Sequence, residues 1–311
     1  MSGKISIYKR EKMKLYKATI KAKSNFATLL KGDTLFGQIC WYIRLIEGEN
    51  RLKALLENYE KKPFLVVSDA FISAHLPKPK LPSFKLGEDP NEKKENKKRV
   101  WLEIDDFFNG NFFKAKKEAK EPKREDEVEK DKKEEVVRNS INYKLFKTDG
   151  AEFSPYSDKE YYFNQKDIYF LIDDNYLDLV KKAFKAMSID GFGKDKTIGK
   201  GRFEIVEFSK CNFPLKNSKY YMTLSPMFPK KLECKNFYYD TFVRFGKLGM
   251  NRANTNAFKK PILFANSAAV IELKDKKELQ YLGKAVTNIS TYEDVVQQGY
   301  SIVLPLELKD E

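Results

Sequence analysis

The chain carries a single histidine, His75, and only three cysteines, Cys40, Cys211 and Cys234. With one imidazole, a histidine pair is impossible, and any histidine general base must be His75 itself. The cysteines are odd in number, widely separated and form no CxxC pair, so neither a zinc site nor a disulfide framework is indicated. No run of about 18 apolar residues occurs, which excludes a membrane-crossing helix. The opening MSGKISIYKREKMK lacks the apolar stretch of a secretory signal. Acidic charge is also short: 45 Asp and Glu face 59 Lys and Arg, a net charge of +14. That surplus favours a polyanionic partner, whether nucleic acid, acidic lipid or an acidic protein. The expectation is a soluble, cytoplasmic, basic protein with no metal, no cofactor and no membrane partner.

The inventory for catalysis is thin. Asp69, Asp105, Asp106, Asp173 and Asp174 show no metal-ligand spacing, and adjacent Asp pairs are common in turns. No strand-to-helix nucleophile elbow is visible. No catalytic residue is therefore expected, and His75, beside the rigid LPKP, reads as an exposed loop side chain. What the chain has in plenty is bulky core material, 24 Phe and 17 Tyr, over 311 residues, enough for two domains.

Hydrophobic period organises the chain. From Met13 to Lys23, Tyr16, Ala18, Ile20 and Ala22 alternate with Lys17, Thr19, Lys21 and Lys23, predicting a half-buried strand with a basic outer face. From Asp33, residues Leu35, Phe36, Ile39, Cys40, Ile43 and Ile46 recur every three or four positions, predicting a helix ending near Gly48. A short helix follows from Asn50, then a strand or strand pair between Pro63 and Ala74. A strand at Asp167–Ile172, a helix at Asn175–Met187 and a strand at Arg202–Phe208 complete a β-α-β-β-α-β order. This is the order of a ferredoxin-like unit interrupted by a large insertion. Within the insertion, Lys114–Glu135 holds nine basic and nine acidic residues, so it reads as a solvated charged helix or a disordered excursion. Because that stretch is neutral, the positive surplus belongs to the folded body. Strands at Tyr220–Leu224, Tyr238–Phe245, Ile262–Leu273 and Ser301–Leu308 suggest a second, degenerate unit of the same class. The predicted class is α+β, two ferredoxin-like (RRM-like) units. Domain one spans 1–209 with a thumb-like insertion at about 85–165, and domain two spans 210–311.

The strongest local motif is Gly191-Phe-Gly-Lys-Asp-Lys-Thr-Ile-Gly-Lys-Gly-Arg202. Gly191, Gly193, Gly199 and Gly201 permit positive φ and a close backbone approach, while Lys194, Lys196, Lys200 and Arg202 supply cations. It lies after a helix and before a strand, the reverse of a Walker loop, and does not fit the dinucleotide fingerprint. A phosphate-contacting loop is the reading. Lys31-Gly-Asp-Thr-Leu-Phe-Gly37 opens the first helix, with Asp33 or Thr34 as its cap and Lys31 near its N-terminus. Arg138-Asn139-Ser140-Ile141-Asn142, with Tyr143 and Phe146 following, mixes amide, cation and aromatic groups of the kind that hold single-stranded RNA. Arg244, Lys247 and Arg252 mark a further basic turn.

Taken in order, LKGDTLFGQICW, SDAF with LPKP, RNSIN, GFGKDKTIGKGRFE, FGKLG, FKKPILF and GYSIVLPLEL resemble the RAMP proteins of CRISPR systems. Within them the resemblance is to the fourth subunit of the type III-A effector (Csm) complex. It runs over nearly the whole chain, departing at Lys114–Glu135, after RNSIN, and at ANSAAV. The resemblance implies a non-catalytic subunit that binds the repeat-derived 5′ handle of the guide RNA. It also implies two protein partners, the large polymerase-like signalling subunit and the backbone RAMP subunit. By carry-over, Gly193–Arg202 would face handle phosphates, and Arg138, Asn139 and Asn142 would lie on the thumb. Two alternatives stand beside it: a RAMP-type endoribonuclease that processes precursor guide RNA and uses His75, and a protein that only docks an acidic partner.

Overall fold

The computed structural model describes residues 13–119, 132–139, 141–148, 154–229, 233–249, 252 and 256–308. Strand β1 (Lys14–Ala22) follows from the alternation noted above, with Ala18 and Ile20 fully buried. Helix α1 (Gly32–Glu47) buries Leu35, Phe36, Ile39, Cys40 and Ile43, whereas Ile46, expected in the same stripe, is exposed in the last turn. Helix α2 (Glu49–Glu57), strand β2 (Leu65–Ile72) and strand β3 (His75–Pro77) come next.

The insertion contains α3 (Lys93–Lys98), β4 (Trp101–Glu103), α4 (Ile104–Phe108) and a long hairpin. The hairpin pairs β5 (Lys132–Arg138) with β6 (Tyr156–Tyr162), from Lys132 opposite Tyr162 to Arg138 opposite Tyr156. Lys132–Glu135 is thus strand and not helix. Cross-strand pairing satisfies its backbone, while the side chains of Lys133, Glu134 and Glu135 stay in water. Within the same charged segment, 120–131 lies outside the described residues, as does Ser140.

Strand β7 (Gln165–Ile172), helix α5 (Leu177–Asp190) and strand β8 (Phe203–Lys210) complete the first half. Its sheet has the order β2-β7-β1-β8, every neighbour antiparallel. One face carries α1 and α5, with Phe184 of α5 against Phe170 and Phe203. The other face is not the open basic surface expected from Lys17, Lys21 and Lys23. Tyr169 there packs on Phe213, Phe213 packs on Phe108 of α4, and buried Thr19 donates to Asp167 at 2.7 Å. The chain after β8 and the insertion cover it.

The second half holds β9 (Ser218–Thr223), β10 (Asn236–Tyr238), β11 (Thr241–Arg244), β12 (Ile262–Ala265), β13 (Val270–Lys277), β14 (Tyr281–Gly283) and β15 (Tyr300–Leu306). Five of these strands form an antiparallel sheet, β10-β13-β9-β15-β14, and β11 pairs with β12 in a separate hairpin. The two halves share one hydrophobic core. A single buried cluster runs from Ala18, Ile43 and Phe170 through to Met222, Val270, Ile302 and Leu304.

Candidate nucleic-acid interface

The glycine-rich loop is a closed, fixed turn. Gly191, Gly193, Gly199 and Gly201 have φ of +106°, +84°, +91° and +74°, and Asp195 between them is also left-handed. At Gly201 a Cβ would fall 2.1 Å from the Phe192 carbonyl oxygen, and at Gly193 it would fall 2.5 Å from Thr28 Cβ. Only glycine fits such approaches. The Phe192 amide donates to the Gly201 carbonyl, the Gly201 amide to the Asn25 carbonyl, and the Lys194 amide to Thr28 Oγ1. The loop is therefore moulded onto the segment after β1. Asn25 and Thr28, more than 160 residues away in sequence, build the loop, and no local pattern announces them.

The loop's cations come together, but with company. Lys194 Nζ contacts both carboxylate oxygens of Asp158 at 2.7 Å. Lys196 donates to Asp190 at 2.8 Å and to the Tyr42 hydroxyl at 3.1 Å. Lys200 donates to Glu160, and Arg138 reaches Glu160 at 2.8 Å and Asp195 at 2.9 Å. Asn25 Nδ2 donates to the same Glu160 at 2.8 Å. Burial alone would push the Glu160 carboxyl up. The hydrogen bonds from Lys200, Asn25 and Arg138 outweigh it and bring the value from 4.5 down to about 2. Arg138, at the turn-side end of the β5–β6 ladder, is thus locked to the loop. Arg202 is exposed, its guanidinium forms no ion pair among the described residues, and its backbone anchors Ser24.

Lys31 and Arg244 lie elsewhere, at the seam between the halves. Lys31 Nζ donates to Asp69 at 2.7 Å, to Asn266 at 2.9 Å and to Ser267 at 3.3 Å, so its three donors are engaged inside the protein. Asp33, fully buried, does not cap α1. It takes a two-pronged contact from Arg244 at 2.7 and 2.8 Å and a further bond from Gln297. The cap comes from Asp69 of β2, whose carboxylate accepts the Gly32 amide at 2.8 Å. Thr34 makes no cap either, because the helix start is already served by that longer-range partner. Gly32 is required by contact, a Cβ there falling 2.2 Å from the Val67 carbonyl oxygen. Phe242 is flanked by both Lys31 and Arg244, while Lys247 lies over exposed Phe258 and Arg252 is bound to Asp294 and stacked on Tyr292.

Beyond the end of the ladder, Asn142 pairs with Lys147 in a small turn that leaves Tyr143, Leu145 and Phe146 exposed at 81%, 65% and 83%. Asn139 is also described, just past β5. His75 corrects the expectation of an exposed side chain. It is buried in β3 with Nδ1 2.9 Å from the Ser73 carbonyl, because the insertion strand β4 pairs over it. Among the described residues no three His, Cys, Asp or Glu side chains are grouped as a metal site requires, and no helix is long and apolar enough to cross a membrane.

A four-stranded antiparallel sheet with two helices on one face, a glycine-rich loop before its last strand and a projecting hairpin define a class of protein. The sequence model of the RAMP superfamily matches residues 25–204, and the chain belongs to that superfamily. Solved structures resemble the whole chain in fold. A chain of a Csm3–Csm4 subcomplex in the type III-A CRISPR-Cas interference complex aligns over 95% of this chain and 100% of its own. Its identity to this chain is 19% and the TM-score is 0.60. Chains of Csm1–Csm4 cassettes in complex with one ATP and with AMPPNP align over 96% of this chain and 100% of their own. Their identities are 19% and 20%, with TM-scores of 0.57 and 0.56. Comparison with curated protein sequences gave no match.

Proposed function

We propose that this chain is the fourth subunit of a type III-A CRISPR effector, a non-catalytic RAMP protein that grips the repeat-derived 5′ handle of the guide RNA. In this role it joins the large signalling subunit to the backbone RAMP subunits, in the cytoplasm. The observation that carries the reading is the end-to-end likeness in fold to a chain of the Csm3–Csm4 subcomplex. The sheet order supports two ferredoxin-like units, with a boundary near residue 210. Numbered by chain position within each half, β2-β7-β1-β8 and β10-β13-β9-β15 both run second, third, first, fourth. In the second unit, loops replace both helices, the β11–β12 hairpin is inserted between the second and third strands, and β14 is an added edge strand.

On this reading the β5–β6 hairpin is the thumb, and the glycine-rich loop against it meets handle phosphates through Lys194, Arg202 and the loop backbone. Lys31 and Arg244 hold the two units together. The burial of His75 counts against the endoribonuclease reading in which it would assist proton transfer. The test is to purify the tagged protein from its native host and sequence the RNA that accompanies it. Small RNAs sharing one repeat-derived 5′ end, lost when Lys194 and Arg202 are replaced by Ala, are expected. Heterogeneous RNA with no common end overturns the assignment.

A further inference from the structure

The glycine-rich loop reads in sequence as a run of free cations, yet in space it is close to neutral. Arg138, Lys194 and Lys200 meet Asp158, Glu160 and Asp195, three charges against three, all within direct contact. Two kinds of pair are mixed in this cluster. Glu160 is 1% exposed and takes three donors, from Arg138, Lys200 and Asn25, which makes it a fixed internal anchor between hairpin and loop. Asp158 is different. Its main partner, Lys194, is half exposed, and its second contact, with Arg138 Nε, is a long 3.8 Å. An ion pair at such a site is worth little in water and exchanges readily for a stronger anion.

We propose that Asp158 is an internal competitor for the RNA backbone. It holds Lys194 in the free protein, and a phosphate takes its place on binding, while Glu160 keeps Arg138 and Lys200 where they are. The inference rests on the RNA-binding reading and adds a determinant of affinity that lies on the hairpin and not in the loop. Both oxygens of Asp158 lie 2.7 Å from Lys194 Nζ, the two-oxygen contact that a phosphate also offers. Exchange has a signature. A phosphate neutralised by lysine releases condensed cations, but a freed Asp158 recovers part of that counterion uptake, so the native protein shows a reduced salt slope.

The experiment measures binding of the full chain to a fluorescein-labelled single-stranded RNA of mixed sequence across a salt series. It compares wild type, Asp158→Asn, Lys194→Ala and the double variant. Asp158→Asn should bind about two- to fivefold more tightly, the range set by removal of one partly exposed ion pair. Its slope of log affinity against log salt should steepen by up to about 0.7. In the Lys194→Ala background both gains should vanish. Unchanged or weaker binding by a folded Asp158→Asn protein, with Lys194→Ala still weakening the wild type, overturns the competitor while leaving RNA binding intact. A gain that persists without Lys194 overturns it as well, since it would then be a general charge effect. Wild-type protein that shows no salt-dependent binding removes the RNA reading and this inference together. Thermal melting of each variant confirms that a loss is not unfolding.

Discussion

Gly201 and Gly199 share a left-handed backbone but differ in surroundings, and this separates two contributions at single residues. At Gly199 nothing lies within 4 Å of an added Cβ, so Gly199→Ala costs only the backbone preference, about 1–2 kcal/mol. At Gly201 the same substitution also drives a methyl against the Phe192 carbonyl, so the melting temperature should fall distinctly further than for Gly199→Ala. Differential scanning calorimetry of the two variants checks the ranking. Glu160 gives a pH signature. Its pKa in the folded state is depressed, so its stabilisation is complete above the ordinary value of 4.5 and is lost as pH falls towards about 2. Wild type should lose stability across that window. Glu160→Gln should be less stable at neutral pH and show a flatter acid limb in denaturant titrations.

The hairpin β5–β6 is an element whose ladder is fixed and whose tip is free. Tyr143 and Phe146 bury almost nothing, so replacing both with Ala should leave the melting temperature unchanged within about 1 °C. If bases stack on them, RNA affinity should drop by about 1–3 kcal/mol per base. Parallel melting and RNA titration of the double variant test the two halves of that statement. The hairpin is also the element least legible in the sequence. KKEEVVR has no apolar alternation, because neither face packs on a core, and the period that reveals a strand is a record of one-sided burial. By contrast β1, α1, α5 and β8 each bury mainly one face, β7 is an apolar run buried on both faces, and all five could be read to within a few residues. The loop was legible in its glycines, which answer to local backbone geometry. It was illegible in its charge, because Asp158 and Glu160 arrive from a strand some 40 residues upstream. The cap of α1 was misread for the same reason: Asp69 reaches the Gly32 amide from the neighbouring strand, and Asp33 is drawn away by Arg244.

At the scale of the molecule, the two halves are tied by polar contacts as well as by a common core. Gln298 lies fully buried with its side-chain oxygen accepting the Val67 amide at 2.9 Å and its nitrogen donating to the Val67 carbonyl at 2.8 Å. It thus supplies a short stretch of strand pairing with a side chain. Gln298→Ala leaves both groups of Val67 unpaired in the interior and should destabilise the protein by about 2–4 kcal/mol in urea titrations. The same integration predicts one cooperative unfolding transition for the whole chain and no stable fold for residues 1–209 alone, as near-ultraviolet circular dichroism would show. The sheet order has a consequence for biosynthesis too. Strand β1 is central, with Ile172 paired to Lys14 and Lys210 paired to Tyr16. Its second partner is made only after about 190 further residues have left the ribosome, an interval of ~10–40 s at ordinary elongation rates. For that time at least one edge of β1 stays open on the nascent chain, which makes this protein a demanding client for chaperones that shield unpaired strands during synthesis.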